Sequence, residues 1–134
     1  MVRHLEAGDE LVLKEKKTGK HRRITLNKAV IASIQALLKS RDYDDGDHLF
    51  LGQRGCLTVS SVNRLVKTWC AEINLKGNYG SHSLRKTFGF HQRTTYGVGI
   101  AELMCTFNHS SQKQTLNYLC IQDEEIRNIY MNEL

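Results

Sequence analysis

The run His82-Ser83-Leu84-Arg85-Lys86-Thr87-Phe88-Gly89 opens a helical stretch that the pattern extends from about Ser83 to Tyr96, where Gly97 and Gly99 stop it. A helical start places His82 and Arg85 three residues apart on one face, where both side chains reach the same ligand. Arginine offers a planar fork for two phosphate oxygens, and histidine adds a donor or a proton shuttle that titrates near neutrality. The pair suits an anionic, phosphate-bearing ligand.

Downstream, His109-Ser110-Ser111-Gln112 opens a further helix that carries Tyr118 nine residues beyond His109, within reach of the place where His109 donates. A helical tyrosine is by default a core or rim residue, its ring buried and its hydroxyl wet. On these residues alone, nucleophile and packing residue both stand. Helices are expected over residues 100 to 107, 112 to 120 and 123 to 133.

Upstream, residues 10 to 15 (ELVLKE) and 22 to 26 (RRITL) alternate around Lys16, Lys17, Thr18, Gly19 and Lys20, which predicts a β-hairpin with a basic tip. From Asn27, an N-cap, Val30, Ile34, Leu37 and Leu38 form a helical stripe ending near Ser40. The acidic DYDDGD stretch is a solvated loop. After the His48 to Leu51 run and a turn at Gly52 to Gly55, Thr58 caps a second helix. Its apolar face is Val62, Leu65, Val66, Trp69 and Ile73, with Arg64 and Lys67 outside the stripe. A hairpin followed by helices defines an α+β domain, mostly helical, with a small antiparallel sheet near the N-terminus.

The 134 residues, 40% of them hydrophobic, can bury one core and are too few for two ordinary domains, so a single domain is expected. No apolar run approaches ~18 residues and no leader pattern opens the chain, which predicts a soluble, intracellular protein without a membrane span. Net charge is +5. Residues 1 to 41 carry ten Lys and Arg against four Asp and Glu, whereas residues 122 to 134 carry one against four. A basic front fits a polyanion such as DNA, or simply a solvated surface.

Cys56, Cys70, Cys105 and Cys120 form no C-x-x-C pair and lie in or beside apolar stretches, which predicts reduced, buried thiols. Cys105 and His109 are the one close Cys/His pair on a helix, and one pair does not make a metal site.

Together, the basic hairpin tip, HSLRKTFG and NHSSQKQTLNY (Asn108 to Tyr118) resemble the tyrosine recombinases of the phage-integrase family over nearly the whole chain. That family sets a hairpin lysine, an H-x-x-R motif, a histidine or tryptophan, and a tyrosine nine residues later around one phosphate, with a further arginine upstream. The matching positions are Lys17, His82, Arg85, His109 and Tyr118. Lys17 directly precedes the Thr-Gly turn; Lys16 and Lys20 are near enough to take its place or to touch the DNA backbone. Arg22, Arg64, Lys67 and Lys86 complete the cations expected on DNA.

The resemblance implies cleavage of a DNA phosphodiester by Tyr118 through a 3′-phosphotyrosyl link, then rejoining by a 5′-hydroxyl. Arg85 would bind non-bridging oxygens, His109 would donate to one of them, His82 would move the proton, and Lys17 would protonate the leaving oxygen. A free phenol titrates at about 10, so the attack needs such help. No cofactor or metal is implied, and the partners are double-stranded DNA and further protomers, as a tetramer on DNA and a monomer without it.

Two departures stand out. Asn108 occupies a position where the family usually has glycine. The upstream arginine has no counterpart, because VRHLEAGDELVL already resembles the segment that follows it; residues 1 to 134 are thus read as a partial catalytic domain lacking that arginine and the core-binding domain. Alternatives are a non-catalytic DNA-binding module, a type IB topoisomerase-like enzyme, and a helical regulatory protein.

Overall fold

Alternating residues on either side of Gly19 pair as expected. β1 (Glu10–Lys14) and β2 (His21–Thr25) form an antiparallel ladder with Leu11 opposite Ile24 and Lys14 opposite His21. At the turn, Glu15 N–H donates to Lys20 O and Gly19 N–H to Glu15 O. The computed structural model describes residues 4–15, 19–44, 46–52 and 55–133; Lys16 and Lys17, expected at this tip, lie outside them. The backbone gathers into two compact units, residues 1–57 and 58–134.

In the first unit, Leu26 is buried directly after β2, and Asn27 caps α1 (Lys28–Lys39) by accepting from Val30 N–H. The buried residue of α1 is Ile31, not Val30, which is exposed. Counting from Ile34, spacings of three and four both fit a helical stripe, and the sequence pattern took the wrong one. The described residues of the acidic stretch are a loop, with Asp44 N–H donating to the Asp47 carboxylate. Two strands too short for periodicity to detect, β3 (Leu51–Gly52) and β4 (Gly55–Cys56), pair antiparallel on either side of the expected turn, whose residues 53 and 54 lie outside those described.

The second unit is helical: α2 (Val59–Glu72), α3 (Ser81–Thr94), α4 (Ile100–Phe107), α5 (Gln112–Leu119) and α6 (Asp123–Tyr130). Thr58 caps α2 as expected, accepting from Ser61 N–H. Of the predicted α2 stripe, only Val66 is fully buried, while Trp69 and Ile73 are exposed. α3 begins and ends about two residues before its predicted bounds, and α6 stops at Tyr130.

The core is Leu103 and Phe107 of α4 against Leu119 of α5, with Val98 and Tyr118 packed on it. α5 lies against both α3 and α4. Gly89, in the middle of α3, leaves room for the Phe107 ring of α4: a Cβ there would lie 3.0 Å from that ring, and 3.4 Å, an ordinary contact distance, from the Tyr118 carbonyl of α5. An interior glycine costs a helix about 1 kcal/mol against alanine, and the close packing of the Phe107 ring on it offsets that cost.

The thiols are free, as expected, but not buried: Cys56 and Cys105 are exposed, and Cys70 and Cys120 half-buried. Cys105 lies two residues from both Leu103 and Phe107, about 200° around the helix from the buried face. Among the described residues, no helix is long and apolar enough to cross a membrane, and no His, Cys, Asp or Glu cluster is placed to hold a metal ion.

Arg93 ties the end of the bundle together. Its Nη2 donates to the Leu119 carbonyl at 3.2 Å and to the Glu125 carboxylate at 2.9 Å. The guanidinium, aided by Gln122 N–H, holds the Glu125 carboxyl below the ordinary glutamate value of 4.5. A lowered folded pKa means the contribution is present above the unfolded value and is lost as pH falls through the folded one. In melts taken at successively lower pH, the stability gap between the wild type and Glu125→Gln is therefore expected to be widest near neutrality and to close below pH 4.5. A gap independent of pH would mean the ion pair contributes nothing.

Candidate active site

Four of the five catalytic residues expected from the sequence meet on the second unit. His82 and Arg85 come from the first turns of α3, His109 from the link between α4 and α5, and Tyr118 from the last turn of α5. Each is held by a local device.

The start of α3 has no side-chain cap of its own, since its N-cap is Gly80. Asn63 of α2 supplies one, its Oδ1 accepting from Ser81 N–H at 3.0 Å. A Cβ on Gly80 would fall 2.1 Å from that oxygen, so glycine leaves room for the cap. Ser83 Oγ accepts from Gly80 N–H, completing the turn that carries His82.

His109 is placed by the end of α4. Asn108 adopts the left-handed conformation (φ 57°, ψ 36°), and its N–H and that of His109 donate back to Cys105 O and Met104 O. This is the closure at which helices favour glycine, which accounts physically for glycine at this place in the family pattern. Asparagine tolerates the left-handed region better than other side chains, but its Nδ2 is buried here without a partner among the described residues. The expected order of stability is Asn108→Gly at or above the wild type, and Asn108→Ala about 1–2 kcal/mol below the glycine variant. Urea unfolding midpoints measure this; an alanine variant more stable than the glycine variant contradicts it.

The rings stack around Phe107, whose centroid is 5.6 Å from that of Tyr118 and 5.2 Å from that of His109. His109 and Tyr118 are 5.0 Å apart. The Tyr118 hydroxyl lies 3.1 Å from His82 Nδ1 and is placed to donate to it. The Arg85 guanidinium sits 4.8 Å over the Phe107 ring and 5.9 Å from the Tyr118 ring centroid, and its Nη2 donates to the Phe107 carbonyl. That carbonyl belongs to the end of α4, where helical carbonyls lack intrahelical donors, so Arg85 also caps α4.

A phenol, two imidazoles and a guanidinium thus share one corner, half-buried except for the exposed His82: a hydroxyl beside an imidazole nitrogen that can take its proton, and a five-donor cation beside both. Of the remaining expected cations, Arg64 and Lys67 lie exposed on α2 and Lys86 on α3 of the same unit, and Lys20 and Arg22 lie on the hairpin of the other. Lys16 and Lys17 lie outside the described residues. Sequence reasoning assigned no role to Asn63, Gly89, Arg93, Phe107 or Thr115. The interior glycine and the buried-position threonine of NHSSQKQTLNY were visible signals; the cap from Asn63 was not, since it joins residues 18 apart.

The fold is similar to that of several solved recombinases. The chain superposes on the XerA recombinase with a TM-score of 0.74 at 22% identity, over 91% of its length and 44% of that chain. For the XerH site-specific recombinase bound to palindromic difH substrate in a post-cleavage complex, the values are 0.76, 22%, 94% and 36%. For the Tn1549 transposon integrase in complex with circular intermediate DNA, they are 0.62, 22%, 91% and 47%. The chain therefore spans less than half the length of these structures, and the likeness establishes the fold of a tyrosine recombinase catalytic domain.

Sequence places it further. The phage integrase family pattern matches residues 3–125, and a probable integrase/recombinase of Bacillus subtilis (strain 168), YoeC, is 33% identical over 133 residues, 96% of this chain and 70% of that protein. The chain belongs to the phage integrase family.

Proposed function

We propose that this chain is the catalytic part of a site-specific DNA recombinase that cleaves and rejoins strands through a 3′-phosphotyrosyl intermediate. The observation that carries this is the Tyr118 hydroxyl 3.1 Å from His82 Nδ1 with the Arg85 guanidinium beside the same ring.

As the Tyr118 oxygen attacks phosphorus, its proton passes to His82, and the bond from phosphorus to the 5′-oxygen breaks. Arg85 and His109 hold the non-bridging oxygens, where negative charge builds and preorganised donors count most. Lys17 protonates the leaving 5′-oxygen; a 5′-hydroxyl then attacks the phosphotyrosine and returns the phenol. The phosphodiester's energy is kept in the protein–DNA bond, so no nucleotide is consumed. Lys16, Lys20, Arg22, Arg64, Lys67 and Lys86 contact the phosphate backbone, a sequence-independent interaction that weakens with salt. DNA with two bound sites would assemble a tetramer, whereas the free protein is a monomer; the upstream arginine and the core-binding domain would come from chain preceding this one.

A nicked duplex bearing the junction sequence of the element that encodes the chain tests this. The nick lets the short 5′-hydroxyl strand diffuse away after cleavage, which traps the covalent adduct on a denaturing gel. Adduct formation by the chain joined to its upstream sequence is expected. Duplex binding without any adduct would leave a DNA-binding module only.

A further inference from the structure

We infer that Thr115 is a positioning residue that fixes the tautomer of His109, so that the imidazole presents Nε2–H to the phosphate. The catalytic use of that N–H rests on the proposed function; the tautomer does not. Thr115 is the fully buried polar residue among those described, 0% exposed, and its Oγ1 lies 3.1 Å from His109 Nδ1.

Helical threonines ordinarily return the hydroxyl hydrogen to the carbonyl four residues back. Thr68, Thr87, Thr94 and Thr106 all do so, to Arg64, Ser83, Phe90 and Glu102. Thr115 departs from the habit: its hydrogen-bond partner among the described residues is His109.

That choice constrains the proton. If neutral His109 carried its hydrogen on Nδ1, that N–H would donate to Oγ1 and leave the buried hydroxyl hydrogen without an acceptor. A doubly protonated ring would do the same. Only a neutral ring with a bare Nδ1 accepts the threonine hydrogen, and then the ring hydrogen sits on Nε2. Because a buried unsatisfied donor forfeits its whole hydration, that state wins.

Thr115 stands three residues before Tyr118 on α5, so one rigid helix carries both the nucleophile and the residue that orients the neighbouring imidazole. The hydroxyl would thereby align donor and attacking oxygen together.

Long-range proton–nitrogen NMR of the 15N-labelled imidazoles reads the tautomer without substrate, with His109 assigned through His109→Gln. The wild type is expected to show the Nε2–H form, Thr115→Val, which keeps the buried shape, a mixture, and Thr115→Ser the wild-type form again. In the adduct assay with the upstream-extended chain, Thr115→Val is expected to slow cleavage about 10- to 100-fold at unchanged duplex affinity, with serine restoring most of it. An Nδ1–H wild type, or an unaltered tautomer in Thr115→Val, overturns the inference. If the wild type forms no adduct, the catalytic assignment fails, and the spectrum still decides the tautomer.

Discussion

Tyr118→Phe, in the chain extended upstream, is expected to abolish the covalent adduct on the nicked duplex and to leave the second unit folded. The variant removes one oxygen. Phenylalanine keeps the ring contacts with Phe107 and His109, whose centroids lie 5.6 and 5.0 Å away. What it loses is the hydrogen bond to His82 at a solvent-exposed position, worth about 0.5–1.5 kcal/mol at most. Duplex affinity should hold, because phosphate contacts and not the phenol carry it. Without the oxygen there is no bond to phosphorus, so the adduct band falls to background rather than by a factor. Exposure alone would favour other nucleophiles: Tyr96 and Tyr130 are 71% and 84% exposed. It is the hydroxyl facing an imidazole that selects Tyr118. An adduct that survives in Tyr118→Phe and disappears in Tyr130→Phe would move the chemistry to α6 and sink the assignment.

What the sequence disclosed follows from the range of the interaction involved. His82 and Arg85 were legible because a helix repeats every three to four residues, and the caps Asn27 and Thr58 because capping is a local hydrogen bond. The hairpin register followed from alternation around one glycine. Burial was less legible, since it depends on which face meets a neighbour: Ile31 was missed for Val30, Trp69 and Ile73 were counted as covered, and the cysteines were expected inside. The convergence of His109 and Tyr118 with α3 was legible only through family resemblance. Periodicity says nothing of contacts such as Tyr118 to His82, 36 residues apart, or Arg85 to Phe107, 22 apart. Arg93 illustrates the limit, since its partners Leu119 and Glu125 lie on other helices and only packing reveals it.

Arg85→Ala is expected to lower the single-turnover rate of adduct formation about 10²- to 10³-fold, the usual effect of removing one preorganised donor from a developing anion. It should also destabilise the second unit. The Phe107 carbonyl loses the donor that caps α4, and the Phe107 ring loses a cation lying 4.8 Å from its centroid. Bonds to charged groups are worth about 1.5–3 kcal/mol, so the melting transition should fall by several degrees. Two effects in one variant invite the objection that slow cleavage merely reports a loosened fold, and Arg85→Lys separates them. Lysine keeps the positive charge but replaces the planar fork with a point charge, which cannot grip the Phe107 carbonyl and two phosphate oxygens at once. Stability should therefore recover more than rate does. Measured at a temperature where all three proteins are folded, Arg85→Lys should remain slow while melting near the wild type. If both variants cleave at the wild-type rate, Arg85 is a structural cap for α4 and the phosphate is held elsewhere.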